Sequence, residues 1–530
     1  MGVAPLHFEA QGVVTMHAYA DFFPHRLPDD ALDTAPLIHA GLLADAAGVR
    51  LSFEGRSLTT GDLRQRVASL QAALADLGLT PGQRVAVMLA NSDEQIVLIY
   101  ALILSGLVWV PINTKLRGPG LDYPFEHARP DLVIADTSFE ASLRESAAAA
   151  LPYRSLGALR EAARAWPEAT LELVRSPSAA PLCLIYTSGT TGAPKGVLFT
   201  HRMMRIASEA VVKVADVQAG DRLLLWEPLC HIGGAQMLLL PFLADVRLSV
   251  VERFSARRFW AQCVEAQATQ LHYLGGILDI LMQQDPRAWP ATHSLRTLWG
   301  AGVSQGNWAA IAERFGCPLR ECYGMTECSS FATLNTTNKP GSVGKPLPWL
   351  SVELLDPDGQ PVAPGALGEM VLSSPVEGVF LPGYLDNPEA TAAALRDGRL
   401  YTGDMARRDG EGDLFFVGRR TDSMRVRGEN VSAWEVERVF SAHPAISACA
   451  AVGVESAVGE QEILLYLQLE DSAEADLPGL AAWVDARLAS YQQPRYYKTI
   501  ERFELTPSER IKKHLLDRSL LGAWDRLAGR

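Results

Sequence analysis

Tyr186-Thr187-Ser188-Gly189-Thr190-Thr191-Gly192-Ala193-Pro194-Lys195-Gly196-Val197 is a hydroxyl- and glycine-rich stretch set between apolar runs. Strands are predicted on both sides, Leu182–Tyr186 and Val197–Thr200. Thr187, Ser188, Thr190 and Thr191 place hydroxyls around Gly189 and Gly192, so side chains and backbone N–H groups together offer one polyanion many hydrogen bonds. Lys195 adds a mobile positive charge. A Walker A loop would run Gly, four residues, then Gly-Lys-Ser/Thr into a helix; here Pro194 precedes the lysine and Gly196-Val197 follows it. The stretch is therefore read as a phosphate cradle of a different geometry. A solvated turn is the plainer reading, and a shorter run of such residues would support it.

Working outward, the chain of 530 residues exceeds what one core usually supports, so at least two domains are expected. Its 48 basic and 61 acidic residues leave a net charge of −13, which argues against a nucleic-acid partner. Cys183, Cys230, Cys263, Cys317, Cys322, Cys328 and Cys449 are scattered, odd in number and without a CxxC pair, as expected of reduced thiols in a cytoplasmic protein. The N-terminus shows no basic stretch, apolar core and cleavage site, so no secretory leader is read. Ile96 to Ile112 is apolar but is interrupted by Gly106 and Pro111 and falls short of the about 20 residues of a membrane span. It is read as a buried helix, capped at Ser92 with Gln95 three residues on, followed by a short strand Val108–Ile112.

The first half alternates predicted strands (Val85–Leu89, Val108–Ile112, Leu132–Ala135) with helices (Leu63–Leu77, Glu94–Leu104), the pattern of layered parallel α/β structure. A second set follows: helices near Arg202–Val214, Ala256–Gln267 and Asn307–Phe315, strands near Leu223–Trp226, Arg247–Val251 and Thr297–Trp299. Two similar α/β subdomains are expected. From Gly341 to Phe416 short strands split by Gly and Pro predict a small barrel-like sheet. Past Asp422 the pattern restarts with a helix near Ala433–Ala442, strands near Ile446–Val454 and Glu462–Leu469, and a helix near Gly479–Ala489. The alanine-rich stretch Ala141–Thr170 is read as a surface helix pair.

The string Tyr186 to Val197 resembles the signature of the adenylate-forming superfamily, which includes acyl-CoA synthetases, peptide-synthetase adenylation domains and luciferases. That resemblance spans roughly Leu58 to Leu516. It implies an α/β fold: a large N-terminal domain (1–421) of two layered α/β subdomains plus a small β-barrel, and a small mobile α+β C-terminal domain (422–530). It implies ATP, Mg²⁺ and coenzyme A as the small molecules handled, together with a carboxylic acid.

Further motifs extend the resemblance. In Tyr323-Gly324-Met325-Thr326-Glu327 it implies a tyrosine ring on adenine, a threonine on the α-phosphate and a glutamate holding Mg²⁺, a hard oxygen ligand for a hard cation. Gly300-Ala301-Gly302 resembles the small-residue turn beside adenine. Tyr401-Thr402-Gly403-Asp404 matches the motif whose carboxylate accepts the ribose hydroxyls, with Arg419 as a second ribose or phosphate contact. Asp422 takes the hinge position, and Gly428, in Arg427-Gly428-Glu429-Asn430-Val431-Ser432, the place where the CoA arm passes.

One motif departs from the pattern. Where the family has Thr-Pro-Ser/Thr-Gly-Lys, this chain has Thr506-Pro507-Ser508-Glu509-Arg510. Arg510 keeps the charge but is wider and planar, so it is not equivalent to lysine. Lys512 and Lys513 stand as alternative cations. For the acid, Leu229-Cys230-His231-Ile232-Gly233-Gly234 and Tyr273-Leu274-Gly275-Gly276 resemble the segments that border the acyl site, which implies pocket roles for His231, Tyr273 and Gly275. Trp226 and Trp299 are aromatic candidates beside them. Several of these strings point to the carnitine/crotonobetaine–CoA ligase-like branch, whose quaternary ammonium acids would favour aromatic faces.

The implied function is an ATP-dependent carboxylate–CoA ligase of the AMP-forming kind, with Lys195, Thr326, Glu327 and Arg510 in catalytic positions. Loading of a separate carrier protein, an oxidative luciferase-like second step, and a nucleotide- or acyl-CoA-binding regulator without turnover are the alternatives. Whether the chain forms a homodimer is left open.

Overall fold

The computed structural model describes residues 22–23, 33–187, 193–274, 277–285, 287, 289–303, 305–419, 423–456, 460–470, 476–504, 511 and 513–528. Among these described residues a six-stranded sheet runs in the order Tyr153–Ser155, Leu132–Ala135, Arg84–Met88, Val108–Pro111, Pro181–Thr187, Lys195–Thr200. Its first five strands are parallel and the last is antiparallel. The strands that flank the expected phosphate cradle therefore form an antiparallel pair in which Thr187 faces Lys195.

A nine-stranded sheet has a parallel centre, from Val49–Phe53 through Arg247–Val250, Arg222–Leu225, Gln270–Leu274 and Thr297–Ala301 to Leu319–Met325. Its first strand and the neighbouring Arg56–Thr59 come from chain that precedes the six-stranded sheet. The two subdomains are thus interleaved in the chain, not consecutive.

Between the sheets lie the helices Asp93–Leu104 and His201–Val214. The first touches Val108–Pro111 of one sheet and Val49–Phe53 of the other; the second touches Pro181–Thr187 and Lys195–Thr200 on one side and Ser330–Leu334 on the other. Every residue of Asp93–Leu104 except Glu94 is buried, as a helix apolar on all sides requires. Ser92 accepts the Gln95 N–H at 3.1 Å, the cap expected from the sequence. Each buried Leu or Ile there contributes roughly 1.5–3 kcal/mol by leaving water. The apolar stretch is thus interior, and no described helix is long and apolar enough to cross a membrane.

The small barrel-like region is a five-stranded antiparallel sheet. Ser351–Leu355 pairs with Gly368–Ser373, which pairs with Arg399–Arg408; the latter also pairs with Leu395–Arg396 and Leu414–Arg419. The small C-terminal domain contains the hairpin Ser423–Val426/Glu429–Ser432, the helices Ala433–Ser441 and Leu477–Trp483, and a four-stranded sheet with a core of its own.

The expected surface helix pair at Ala141–Thr170 needs correction. Short helices Glu140–Arg144 and Leu156–Ala163 are separated by Tyr153–Ser155, which extends the six-stranded sheet. Pro152 holds Leu151 in extended backbone, and its carbonyl accepts the Val133 N–H at 2.8 Å, so a sheet edge overrides the helix propensity of the alanines.

Candidate active site

A cleft of about 800 Å³ opens between the strand ends of the large domain and the Ser423–Ser432 hairpin of the small one. Thr187, Lys195, Trp226, His231, Ala301, Thr326, Glu327 and Gly428 all line it. Residues expected to act from distant parts of the sequence are thereby brought together. Ser188, Gly189, Thr190, Thr191, Gly192, Gly275, Asp422 and Arg510 lie outside the described residues, as does the side chain of Arg419.

At one end, Thr326 and Glu327 start a short turn directly after the strand Leu319–Met325. Glu327 is 6 % exposed; its Oε1 accepts from the Tyr384 hydroxyl at 2.8 Å and lies 3.5 Å from Thr187 Oγ1. Lys195 Nζ sits 5.0 Å from the centre of the Tyr384 ring. Tyr384 therefore ties the cradle lysine to the carboxylate. A single carboxylate of this kind fits Mg²⁺, which keeps several waters and is otherwise held by substrate phosphates.

The nucleoside motifs sit beside this end. Tyr323 donates its hydroxyl to Asp404 Oδ2 at 2.6 Å and stacks on Phe416. Burial and the Asp404 carboxylate both push the Tyr323 hydroxyl well above its usual pKa, so it stays a donor. Neither side chain lines the cleft, although their neighbours Met325 and Gly403 do. Asp404 and Arg419 face each other across an antiparallel ladder, which puts the two expected ribose contacts side by side in the backbone.

Gly300 and Gly302 do not line the cleft. Gly300 has φ +151°, and a Cβ there would lie 1.9 Å from the Tyr273 carbonyl oxygen, so glycine is required by the adjoining strand. Gly302 N–H donates to Glu321 Oε1 at 2.6 Å, and the Tyr273 hydroxyl donates to Oε2 at 2.7 Å. Burial raises Glu321 to about 7 against those hydrogen bonds.

Two pocket expectations are corrected by this packing. Tyr273 is directed at Glu321 behind the wall, and Trp299 lies beside His272 on the next strand, stacked against its ring at 4.2 Å, without reaching the cleft. Both are fully buried. On a parallel strand successive side chains take opposite faces, so His272 reaches the cleft and Tyr273 does not.

The small domain closes the other side. Gly428, with φ +79°, donates its N–H to the Glu460 carboxylate at 3.0 Å. Open space surrounds its missing Cβ, so the glycine answers a backbone requirement first. Glu429 Oε2 lies 2.8 Å from His231 Nε2, and its Oε1 lies 3.3 Å from Lys115 Nζ. Burial opposes charge on both groups. Cys230 and Glu429 nevertheless raise His231 well above its ordinary value, while His231 and Lys115 hold Glu429 down at about 2. Lys513 is bound to Glu437 at 2.6 Å, which removes it as a free cation in this pose.

The family model described as AMP-binding enzyme matches residues 44–385, and that of the AMP-binding enzyme C-terminal domain matches 435–510. The chain belongs to the AMP-binding, adenylate-forming enzymes. A feruloyl-CoA synthase of Amycolatopsis sp is 30 % identical over 92 % of this chain and 98 % of its own. The crotonobetaine/carnitine–CoA ligase of Salmonella paratyphi A is 28 % identical over 84 % of this chain and 90 % of its own. Among solved structures, the amide bond synthetase McbA from Marinactinospora thermotolerans is 27 % identical, with a TM-score of 0.80 over 91 % of this chain and 98 % of that one.

In this AMP-binding enzyme the sequence reasoning missed Lys115, Glu227, His272 and Tyr384 as cleft residues. Glu227 adjoins the quoted Leu229–Gly234 string, and His272 adjoins Tyr273, so proximity to a motif was a usable signal for both. Lys115 and Tyr384 carry no such local mark; only the folded chain brings them to the cleft.

Proposed function

We propose that this AMP-binding enzyme is a carboxylate–CoA ligase that runs both half-reactions in the cleft between its domains. It is an AMP-forming acid–thiol ligase that uses ATP, Mg²⁺ and CoA. In the first half-reaction an oxygen of the acid's carboxylate attacks the α-phosphorus of ATP, and the bond to pyrophosphate breaks. Lys195 and Arg510 offset charge on the phosphate oxygens, Thr326 donates to the α-phosphate, and Tyr384 orients the Glu327 carboxylate. Mg²⁺ held at Glu327 supplies Lewis-acid stabilisation of the same oxygens.

In the second half-reaction the CoA sulfur, its proton lost, attacks the carbonyl carbon of the acyl-adenylate and AMP departs. Between the two steps the domain after Asp422 turns, so that Arg510 leaves and Gly428 enters. The domains are then 1–421 and 422–530. The observation that carries this reading is Glu429 seated between His231 and Lys115 with Gly428 in the cleft, an arrangement suited to the thiol step.

Pyrophosphate release from Mg·ATP across a panel of carboxylates, with and without CoA, tests it. Acid-dependent release that accelerates with CoA is expected. Acceleration only with a phosphopantetheinylated carrier protein would transfer the acceptor role to that partner, and nucleotide binding without release would leave a binding protein. The free cysteines support a cytoplasmic setting, checked by fractionation, and sedimentation decides for or against a homodimer.

A further inference from the structure

The strands Arg222–Leu225 and Gln270–Leu274 are neighbours in the nine-stranded sheet, which brings Glu227 beside His272 on the chamber wall. Glu227 Oε1 lies 2.5 Å from His272 Nδ1, and neither side chain is more than 1 % exposed. The imidazole is clamped. Trp299 stacks on its face, Phe331 meets it edge-on, and the His272 carbonyl accepts from Trp226 Nε1 at 3.0 Å. Asn91 holds the other member by donating to the Glu227 carbonyl at 2.7 Å. The carboxylate at Nδ1 leaves Nε2 as the group available for bonding. Among the described residues Nε2 is buried with no hydrogen-bond partner; Nδ1 and the two Glu227 carboxylate oxygens likewise form no aligned hydrogen bond, and Nδ1 and Oε1 meet only each other, at 2.5 Å.

A buried ring nitrogen without a partner is unfavourable, so its partner is expected to arrive with a ligand. The cleft that His272 lines carries apolar side chains, Trp226, Phe254, Leu274, Ile277 and Ile280, together with the polar Gln236, Arg253 and Ser330. With Nδ1–H facing the carboxylate, Nε2 accepts; once the pair has taken up a second proton from solvent, Nε2–H donates. A hydroxyl matches both states, because it donates and accepts, whereas a quaternary ammonium group matches neither. Two strand spacings, about 10 Å, separate the strand of His272 from the strand Leu319–Met325 that leads into Thr326. We infer that His272, positioned by Glu227, selects an acid bearing a hydroxyl distal to its carboxylate. The inference rests on the ligase reading above.

The test compares kcat/KM for pyrophosphate release with matched acids: arylpropenoic and arylpropanoic acids with and without a ring hydroxyl, alongside straight and branched alkanoic acids. The wild-type enzyme is expected to prefer the hydroxylated member by at least about 100-fold, because a site built for a hydroxyl rejects the analogue that lacks it. His272→Phe should erase most of that preference, and Glu227→Gln should reduce it part-way. A purely structural role would lower both members alike and leave the ratio unchanged. If His272→Phe fails to fold, His272→Gln carries the comparison. Equal rates for the pair in wild-type enzyme, or an unchanged ratio in the variants, overturns this inference and spares the ligase reading. Silence with every acid overturns both.

Discussion

Glu327 and Glu227 are both buried carboxylates on one cleft, yet their surroundings assign them different chemistry. Glu327 lies in the turn after the strand Leu319–Met325 and is met by the neutral hydroxyls of Tyr384 and Thr187, with Lys195 near the same tyrosine. Glu227 stands in an apolar wall against one imidazole, and burial raises its pKa in spite of His272. Facing a single imidazole 2.5 Å away, this carboxylate is placed to hold a ring and not a cation. Residue type alone therefore decides little; the donors facing each oxygen decide the role.

The largest expected effect separates the two carboxylates. Glu327→Gln should lower pyrophosphate release by about 10²- to 10³-fold for every acid, the scale of losing one charge-stabilising contact. A magnesium titration should show the loss as weaker metal dependence; release close to wild type would remove Glu327 from the metal site. Arg510→Ala, next in size, should slow acid-dependent release by about 100-fold while sparing thioester formation from supplied acyl-adenylate. Lys513→Ala should leave release largely intact, since Glu437 holds that lysine. The reverse ranking would move the working cation to Lys513.

A smaller effect is expected across the cleft. Glu429→Gln should slow the thiol step by about tenfold, the scale of one charged hydrogen bond, without slowing pyrophosphate release. The pH dependence has a definite sign. Glu429, lowered from 4.5 to about 2, contributes fully above 4.5 and loses its contribution as pH falls through 2. His231, raised above 6.5, contributes fully below 6.5 and loses its contribution as pH rises through its elevated value. The domain contact should thus be strongest between 4.5 and 6.5 and weaken on alkalinisation, which single-turnover thioester formation across pH would register.

The smallest effect concerns the wall behind the chamber. Tyr273→Phe removes a buried hydrogen bond to Glu321 and should cost about 1–3 kcal/mol of stability, seen as a lower thermal midpoint, with acid preference unchanged. A changed preference would return Tyr273 to the pocket.

Much of the fold was legible because hydrophobic period and punctuation are local. The Ser92 cap, the strand Leu132–Ala135 and the hairpin flanking the phosphate cradle all follow from runs of a few residues. The strand Gln270–Leu274 was not, because it is only five residues long and buried on both faces, so its Gln270 and His272 carry no inside–outside signal. Tyr153–Ser155 was hidden by alanines whose helical preference yields to a sheet edge.

The sequence by itself placed Thr187, Lys195, Thr326 and Glu327 in contiguous strings whose residue types suit phosphate and a metal, the roles proposed for them above. It also determined the departure at Arg510. Only the tertiary structure decided which aromatic residues face the acid, that Tyr384 joins Lys195 to Glu327, and that Glu227 meets His272. Those contacts join strands and loops tens to hundreds of residues apart, and side-chain direction reverses at every step along a strand. Local pattern names a group; sheet order and packing choose its partner.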